Sequence, residues 1–274
     1  MLKSAASTYL DIDGDFYNTV LVMQLNIDEI RRLLGEAYSV EYHQHIDSTN
    51  DRAIELARDG AAHGTLVVTD YQAAGRGRRG AVWTAPEYSS ILCSIILRPS
   101  SPIPNHHLAI LTGVGVANGL RKHGAEAKIK WPNDIMLCDR KIAGILVETV
   151  HDAVIVGVGI NCQIPQDTFP DDVRERAGSL HTLLNRKIVR EQLLVTIIED
   201  LIDALNRVEQ SNIIKVLYEW NSLNWLSRRK VRVTGPLGSV DGDGLFLDGR
   251  KLIFHVFKDY GVVPMPLSSS VEAR

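Results

Sequence analysis

Four apolar runs follow one another at 127–131, 134–137, 142–147 and 153–158, with only two to five residues between them. Each is rich in aliphatic or β-branched side chains and too short for an ordinary helix, so each reads as a strand. Connections this short join antiparallel neighbours, because a parallel pair needs a crossover of about a dozen residues or more. The series therefore predicts hairpins rather than strand–helix–strand units, and a mixed or largely antiparallel sheet.

Other segments fill in around that sheet. Residues 65–69 and 90–97 read as further strands. A short helix is expected after residue 25, capped by Asn26 or Asp28, with Ile27, Ile30 and Leu33 or Leu34 on one face and Gly35 ending it. Asp47-Ser48-Thr49-Asn50 opens a second helix through about Arg58, and Ser48 with Asp51 has the form of a capping box. Residues 105–122 look helical, with Leu108, Leu111, Val114, Val116 and Leu120 inward. The clearest helical period runs over 188–208, through Leu194, Ile197, Ile198, Leu201, Leu205 and Val208, and another helix spans about 212–220. After Trp225, alternating strands and the turns Gly235-Pro236 and Asp241-Gly242-Asp243-Gly244 predict a small β-barrel of about 45 residues. The expected organisation is a loosely held tail at 1–25, a main domain at 26–222 and a small domain at 223–274.

Composition excludes several classes. Of the 274 residues 45% are apolar, enough for a packed core. A net charge of -3 argues against a protein that coats nucleic acid, though a local basic patch stays open. Cys93, Cys138 and Cys162 are odd in number and widely spaced, which suits neither a disulfide framework nor a zinc site and fits a reducing cytoplasm. No apolar stretch approaches the roughly 18 residues of a membrane span, and no signal peptide is apparent, so a cytoplasmic protein with no membrane partner is expected.

Chemistry concentrates in four places. Gly75-Arg76-Gly77-Arg78-Arg79-Gly80 combines glycines, which let backbone approach a ligand, with permanently charged planar donors suited to phosphate and carboxylate oxygens. It is neither a Walker A loop nor a dinucleotide fingerprint. A solvated basic loop or a nucleic-acid patch has the same composition. Lys130-Trp131-Pro132-Asn133-Asp134 sets a cation, an aromatic and a carboxylate at a strand end, where Asp134 is a candidate to hold magnesium or orient a nucleophile, or simply belongs to a turn. Lys141, seven positions later across a hairpin, either shares a cavity with Asp134 or forms a surface ion pair. Gly157-Val158-Gly159-Ile160-Asn161 either admits a ligand close to the backbone or marks a bulge.

Together these segments resemble the biotin protein ligases. The resemblance is carried by Asp47-Ser48-Thr49-Asn50, Gln72 with Gly75 to Gly80 and Trp83, Lys130 to Asp134, Arg140 to Glu148, and Gly157 to Asn161, in the family's order and at compatible spacings over about residues 25–265. It implies an α+β fold: a mixed, largely antiparallel sheet flanked by helices, of the class II aminoacyl-tRNA-synthetase-like kind, with a small C-terminal SH3-like β-barrel. It implies that biotin and ATP are substrates, with Mg2+. Biotinyl-5′-adenylate forms first, and biotin then passes to a lysine of a biotin carboxyl carrier protein or domain. It assigns Ser48, Thr49, Asn50, Gln72, Arg76, Gly77, Arg78, Lys141 and Gly144 to biotin. Arg76, Arg78, Arg79, Trp83, Lys130, Asn133 and Asn161 go to ATP or the adenylate, and Trp83 also closes over the apolar part of biotin. Arg78, Lys141 and Asp134 are the expected catalytic residues; Asp134 would also bind magnesium and position the incoming lysine.

Two departures qualify the resemblance. Some family members begin with a helix-turn-helix domain and act as repressors; about 45 residues precede Asp47 here, and no DNA binding is expected. The family's glycine- and glutamate-rich ending is replaced by Tyr260-Gly261-Val262-Val263-Pro264, which leaves the barrel's role open. A homodimer is compatible with the resemblance. The alternatives are a lipoate-type ligase of the same superfamily and a non-enzymatic nucleic-acid-binding regulator.

Overall fold

The hairpins read from the sequence form, and they belong to a larger sheet. The structure is a computed structural model that describes residues 23–209, 213–236, 238–248, 253–258, 261–266 and 269–273. The main sheet contains β1 (Ser39–Ile46), β2 (Thr65–Gln72), β3 (Ser90–Leu97), β4 (Lys128–Lys130), β5 (Asp134–Leu137), β6 (Arg140–Val150) and β7 (Ala153–Asn161). Their order is β1-β2-β3-β7-β6-β5-β4. β1 and β2 run parallel, and the other neighbouring pairs are antiparallel.

β1 has no counterpart among the strands expected from sequence. Its residues, Ser-Val-Glu-Tyr-His-Gln-His-Ile, lack an apolar alternation because the strand lies at the sheet edge and is only partly covered. Parallel pairing with β2 holds it, through the crossover helix α2 (Thr49–Arg58). Ser48 caps that helix, its hydroxyl accepting from Asp51 N at 3.4 Å. α1 (Ile27–Leu34) precedes β1, is capped by Asn26 and ends at Gly35 with φ 73°.

The two sheet faces carry different loads. On one, Ala53 and Ala57 of α2 pack against Val67, Ile96 and Ile155. On the other, α1, α3 (Asn105–Lys122) and α6 (Arg190–Glu209) bury the larger core with Leu66, Ile91, Ile95, Val156 and Val158. α3 and α6 approach very closely: a Cβ on Gly115 would lie 2.8 Å from Leu201 Cα, and one on Gly119 would lie 2.6 Å from Ile197 Cγ1. Two short helices, α4 (Asp171–Arg174) and α5 (Leu180–Leu184), link β7 to α6. Among the described residues no helix is long and apolar enough to cross a membrane.

α7 (Ile213–Leu223) leads into the C-terminal strands β8 (Val231–Gly235), β9 (Gly238–Gly242), β10 (Leu245–Asp248), β11 (Ile253–Lys258), β12 (Gly261–Pro266) and β13 (Ser270–Ala273). They form two three-stranded sheets, β13-β8-β9 and β10-β11-β12, antiparallel throughout. Their core is continuous with the main one. Phe254 meets Trp131 edge-on at 5.0 Å between ring centroids, and Trp131 meets Trp220 at 6.1 Å.

The tail expected at 1–25 falls mostly outside the described residues. Its last residues are not loose. Leu25 is buried and its N–H donates to Asp70 Oδ2 at 3.2 Å, while the Met23 carbonyl accepts from the Arg190 guanidinium. Asp70 and Arg190 are themselves buried, 3.1 Å apart. The sequence offered no sign of this, because the partners lie 120 positions apart.

Candidate active site

The glycine–arginine loop folds back on itself as a flap. Trp83 N donates to Gly75 O at 2.9 Å and Gly77 N donates to Ala81 O at 2.7 Å. Gly75 is needed for this closure, since a Cβ there would stand 2.4 Å from the Trp83 carbonyl oxygen. Arg79 and Gly80 turn the chain through positive φ, at 56° and 78°. The return brings Trp83 down onto the sheet. Its indole rests against Gly144 of β6 and Gly159 of β7, where added Cβ atoms would lie 2.9 and 2.6 Å from the ring.

The glycines of β7 therefore make room rather than a bulge. β7 pairs with β3 and β6 in unbroken register through Gly157 and Gly159; the irregularity lies between Ile135 and Met136 of β5. With a two-residue period, Val156, Val158 and Ile160 enter the helical core while Gly157 and Gly159 face the other side. A Cβ on Gly157 would lie 2.0 Å from Asn50 Oδ1.

Between flap, α2 and sheet lies a cavity of about 200 Å³. Its lining includes Ser48, Thr49, Asn50, Gln72, Arg76, Gly77, Arg78, Trp83, Asn133, Asp134, Lys141 and Gly144. Thus every residue expected at the biotin site stands around one hollow, although they come from α2 and its cap, β2, the flap and β6. A larger hollow of about 550 Å³ adjoins it, sharing Arg78, Asn133 and Ile145 and adding Arg79, His106 and Trp131. Ser269, Ser270 and Val271, at the start of β13, complete its wall.

A hydrogen-bonded chain runs along the first cavity. Gln72 Oε1 accepts from Thr49 N at 2.8 Å and lies 3.0 Å from Thr49 Oγ1. Ser94 Oγ lies 2.8 Å from Thr49 Oγ1 and 2.6 Å from Asn50 Oδ1. Asn50 Nδ2 donates to Glu148 Oε2 at 2.8 Å. Glu148 in turn accepts twice from Arg76, at 3.1 and 2.8 Å, and Arg76 also donates to Asp51 at 2.6 Å. Hydrogen bonding to Glu148 and then Asp51 raises the Arg76 pKa above its usual value. Nothing in the sequence singles out Ser94 or Glu148; Glu148 ends a strand-like run, and only folding brings it to Arg76, 72 positions away.

The cations behave differently from one another. Arg78 faces both hollows, and among the described residues no carboxylate lies within ion-pairing distance of it. Burial, then repulsion from Arg79, pulls its pKa below the usual guanidinium value. Lys141 Nζ meets Asp134 Oδ1 at 2.6 Å and stands 5.6 Å from the Trp83 ring centroid. Two expected ligand contacts lie elsewhere. Lys130 lines neither hollow and sits over the Trp225 ring at 5.4 Å, with Arg229 also on that ring at 3.9 Å. Asn161 is buried and donates to Gly178 O at 3.0 Å, tying β7 to the following loop.

The residues present do not fit a magnesium ion held by the protein alone. Among the described residues no group of three His, Cys, Asp or Glu side chains could hold a metal, and one Asp134 oxygen is already on Lys141.

Residues 42–164 match the family described as "Biotin/lipoate A/B protein ligase family". The chain is 40% identical over 156 residues to the bifunctional ligase/repressor BirA of Bacillus subtilis, covering 54% of this chain and 48% of that protein. It is 34% identical over 132 residues to the biotin–[acetyl-CoA-carboxylase] ligase of Mycobacterium tuberculosis, covering 45% and 50%. The chain thus spans about half the length of these curated relatives. Among solved structures it is similar in fold to the biotin protein ligase from Aquifex aeolicus in complex with biotin and ATP, with a TM-score of 0.77, 24% identity, and coverage of 86% of this chain and 99% of that one. The matched region, residues 42–164, contains the flap, the glycine floor and Lys141, and it is this part of the chain that is similar to the biotin/lipoate A/B protein ligase family.

Proposed function

We propose that this chain is a biotin protein ligase. It joins biotin to ATP as biotinyl-5′-adenylate and then passes biotin to a lysine of a biotin carboxyl carrier protein or domain. The observation that carries the reading is the pair of adjoining hollows that meet at Arg78 and Asn133. An adenylation needs two ligands end to end, with fixed positive charge at the junction where two anions approach.

In the first step a biotin carboxylate oxygen attacks the α-phosphorus, the bond to the β-phosphate oxygen breaks, and pyrophosphate leaves. Arg78 supplies positive charge at the junction and Lys141 supplies it within the first cavity, and among the described residues Arg78 makes no ion pair with a carboxylate. In the second step a neutral lysine amine attacks the anhydride carbonyl, AMP leaves, and the nitrogen loses a proton. Asp134 is the candidate to hold that amine: it lines the first cavity and its Oδ1 meets Lys141. Any magnesium would have to be brought by the nucleotide, whose phosphate charge it would offset, since no set of the described residues would hold it alone. Trp83 covers the apolar part of biotin over the glycines, and the Thr49–Gln72 end offers polar groups to the ureido ring. The three unpaired cysteines suit a reducing cytoplasm.

The test is pyrophosphate release by purified protein with ATP and biotin, followed by transfer to a carboxyl carrier domain. Biotin should support release without any carrier. Release with lipoate or octanoate but not biotin would establish the lipoate-type alternative. Neither step calls on DNA, and biotin-dependent, sequence-specific retardation of a DNA fragment would contradict the expectation of no DNA binding.

A further inference from the structure

The chain of polar groups along the cavity is short of a proton. Asn50 stands with one amide atom 2.8 Å from Glu148 Oε2 and 3.4 Å from the Leu146 carbonyl. Carboxylate and carbonyl oxygens only accept, so that atom is the NH2 and the Asn50 oxygen faces Ser94. At the other end Gln72 Oε1 is fixed as an acceptor by Thr49 N. Between these two oxygens lie three contacts of 2.6, 2.8 and 3.0 Å: Asn50–Ser94, Ser94–Thr49 and Thr49–Gln72. Ser94 and Thr49 have one hydroxyl proton each, so only two of the three contacts are hydrogen bonds. With Ser94 donating to Asn50 and Thr49 to Gln72, the two hydroxyl oxygens face each other with lone pairs. Ser94 is fully buried, whereas Thr49 lines the cavity. A ligand N–H directed at Thr49 Oγ1 supplies the missing donor.

We propose that Glu148 is a positioning residue that sets this polarity. By fixing the Asn50 amide it leaves the Thr49 hydroxyl as an acceptor that demands an N–H from the ligand, which a cyclic urea has and a dithiolane lacks. Without an acceptor at position 148 only the long contact to the Leu146 carbonyl, at 3.4 Å, opposes a turn of the Asn50 amide. Its NH2 then donates to Ser94, Ser94 to Thr49 and Thr49 to Gln72, so all three contacts are satisfied without the ligand. The inference rests on biotin as the occupant of the cavity. Glu148 touches no part of that cavity's ligand space and acts through Asn50 and Ser94.

The test compares binding of biotin with its two ureido N-methyl derivatives by calorimetry, in wild type, Glu148→Met, Glu148→Gln and Arg76→Ala. In wild type one N-methyl isomer should bind more weakly by about tenfold beyond the loss shown by the other, the size of one hydrogen bond. Glu148→Met should collapse that difference. Glu148→Gln keeps an oxygen for Asn50 and should retain it, which a role through charge alone would not allow. Arg76→Ala breaks the flap's tie to Glu148 but not the hold on Asn50, and should retain the difference whatever its activity. An equal response to both isomers in wild type, or loss of the difference in Glu148→Gln as large as in Glu148→Met, overturns the proposal. Failure of wild type to bind biotin at all instead overturns the assignment of the site's ligand.

Discussion

Lys141 and Asp134 lie on adjacent antiparallel strands with Nζ and Oδ1 2.6 Å apart, and the lysine also faces the Trp83 ring. The pair is only partly buried, with the lysine side chain 36% exposed. A pair so placed contributes at most about 1 kcal/mol to folding. Its value lies in holding an ammonium on the wall of the first cavity, beside Asn133, which both hollows share.

Lys141→Ala should therefore slow adenylate formation by on the order of 100-fold while shifting the thermal midpoint little. Biotin-dependent pyrophosphate release and a melting curve measure the two effects. An unchanged rate would return Lys141 to a surface ion pair.

Arg78→Gly should separate formation of the adenylate from its retention. Arg78 faces both hollows, and partial burial strengthens its attraction for an anion. Its loss should slow the first step and accelerate escape of adenylate, so that lysines on bystander proteins become labelled. The checks are the adenylate dissociation rate and bystander biotinylation beside wild type. A variant that holds adenylate as tightly as wild type would show that the flap is not the gate.

Gly159→Ala should weaken biotin binding without unfolding the sheet. The new Cβ would stand 2.6 Å from the Trp83 ring, so the indole must lift. Overpacking of this kind costs about 1–3 kcal/mol, or roughly tenfold or more in affinity if it falls on the ligand pocket. Calorimetric titration with biotin reads the affinity and circular dichroism the fold.

The thiols should divide by burial. Burial raises both Cys93 and Cys162 to about 12, so at pH 8 neither offers an appreciable thiolate, whereas Cys138 is exposed in the β5–β6 turn. Titration of the native protein with a chromogenic disulfide should show one fast thiol, and denaturation should release the other two. Fast reaction of two thiols in the native state would show that β3 or the end of β7 opens.

The sequence by itself determined the elements whose signals are local. Short connections made 127–158 a set of hairpins, the period of 188–208 made a helix, and Ser48 and Asn26 marked caps that the structure contains. It also drew attention to the loop Gly75 to Gly80 and to Lys141, because clustered glycines and cations are visible in one dimension. Only the tertiary structure decided what those charges do. Arg76 looks like Arg78 in sequence, yet it is neutralised by Glu148 and Asp51, while Arg78 faces both hollows with no carboxylate partner among the described residues. Lys130 sits in a cation-rich motif but is turned to Trp225, and Asn161 is turned to Gly178. β1 stayed hidden because an edge strand needs no apolar period, and the Asp70–Arg190 tie because its partners come from distant segments. A periodic pattern reports how a segment meets the core, whereas the state of a charge depends on neighbours whose sequence separation is arbitrary.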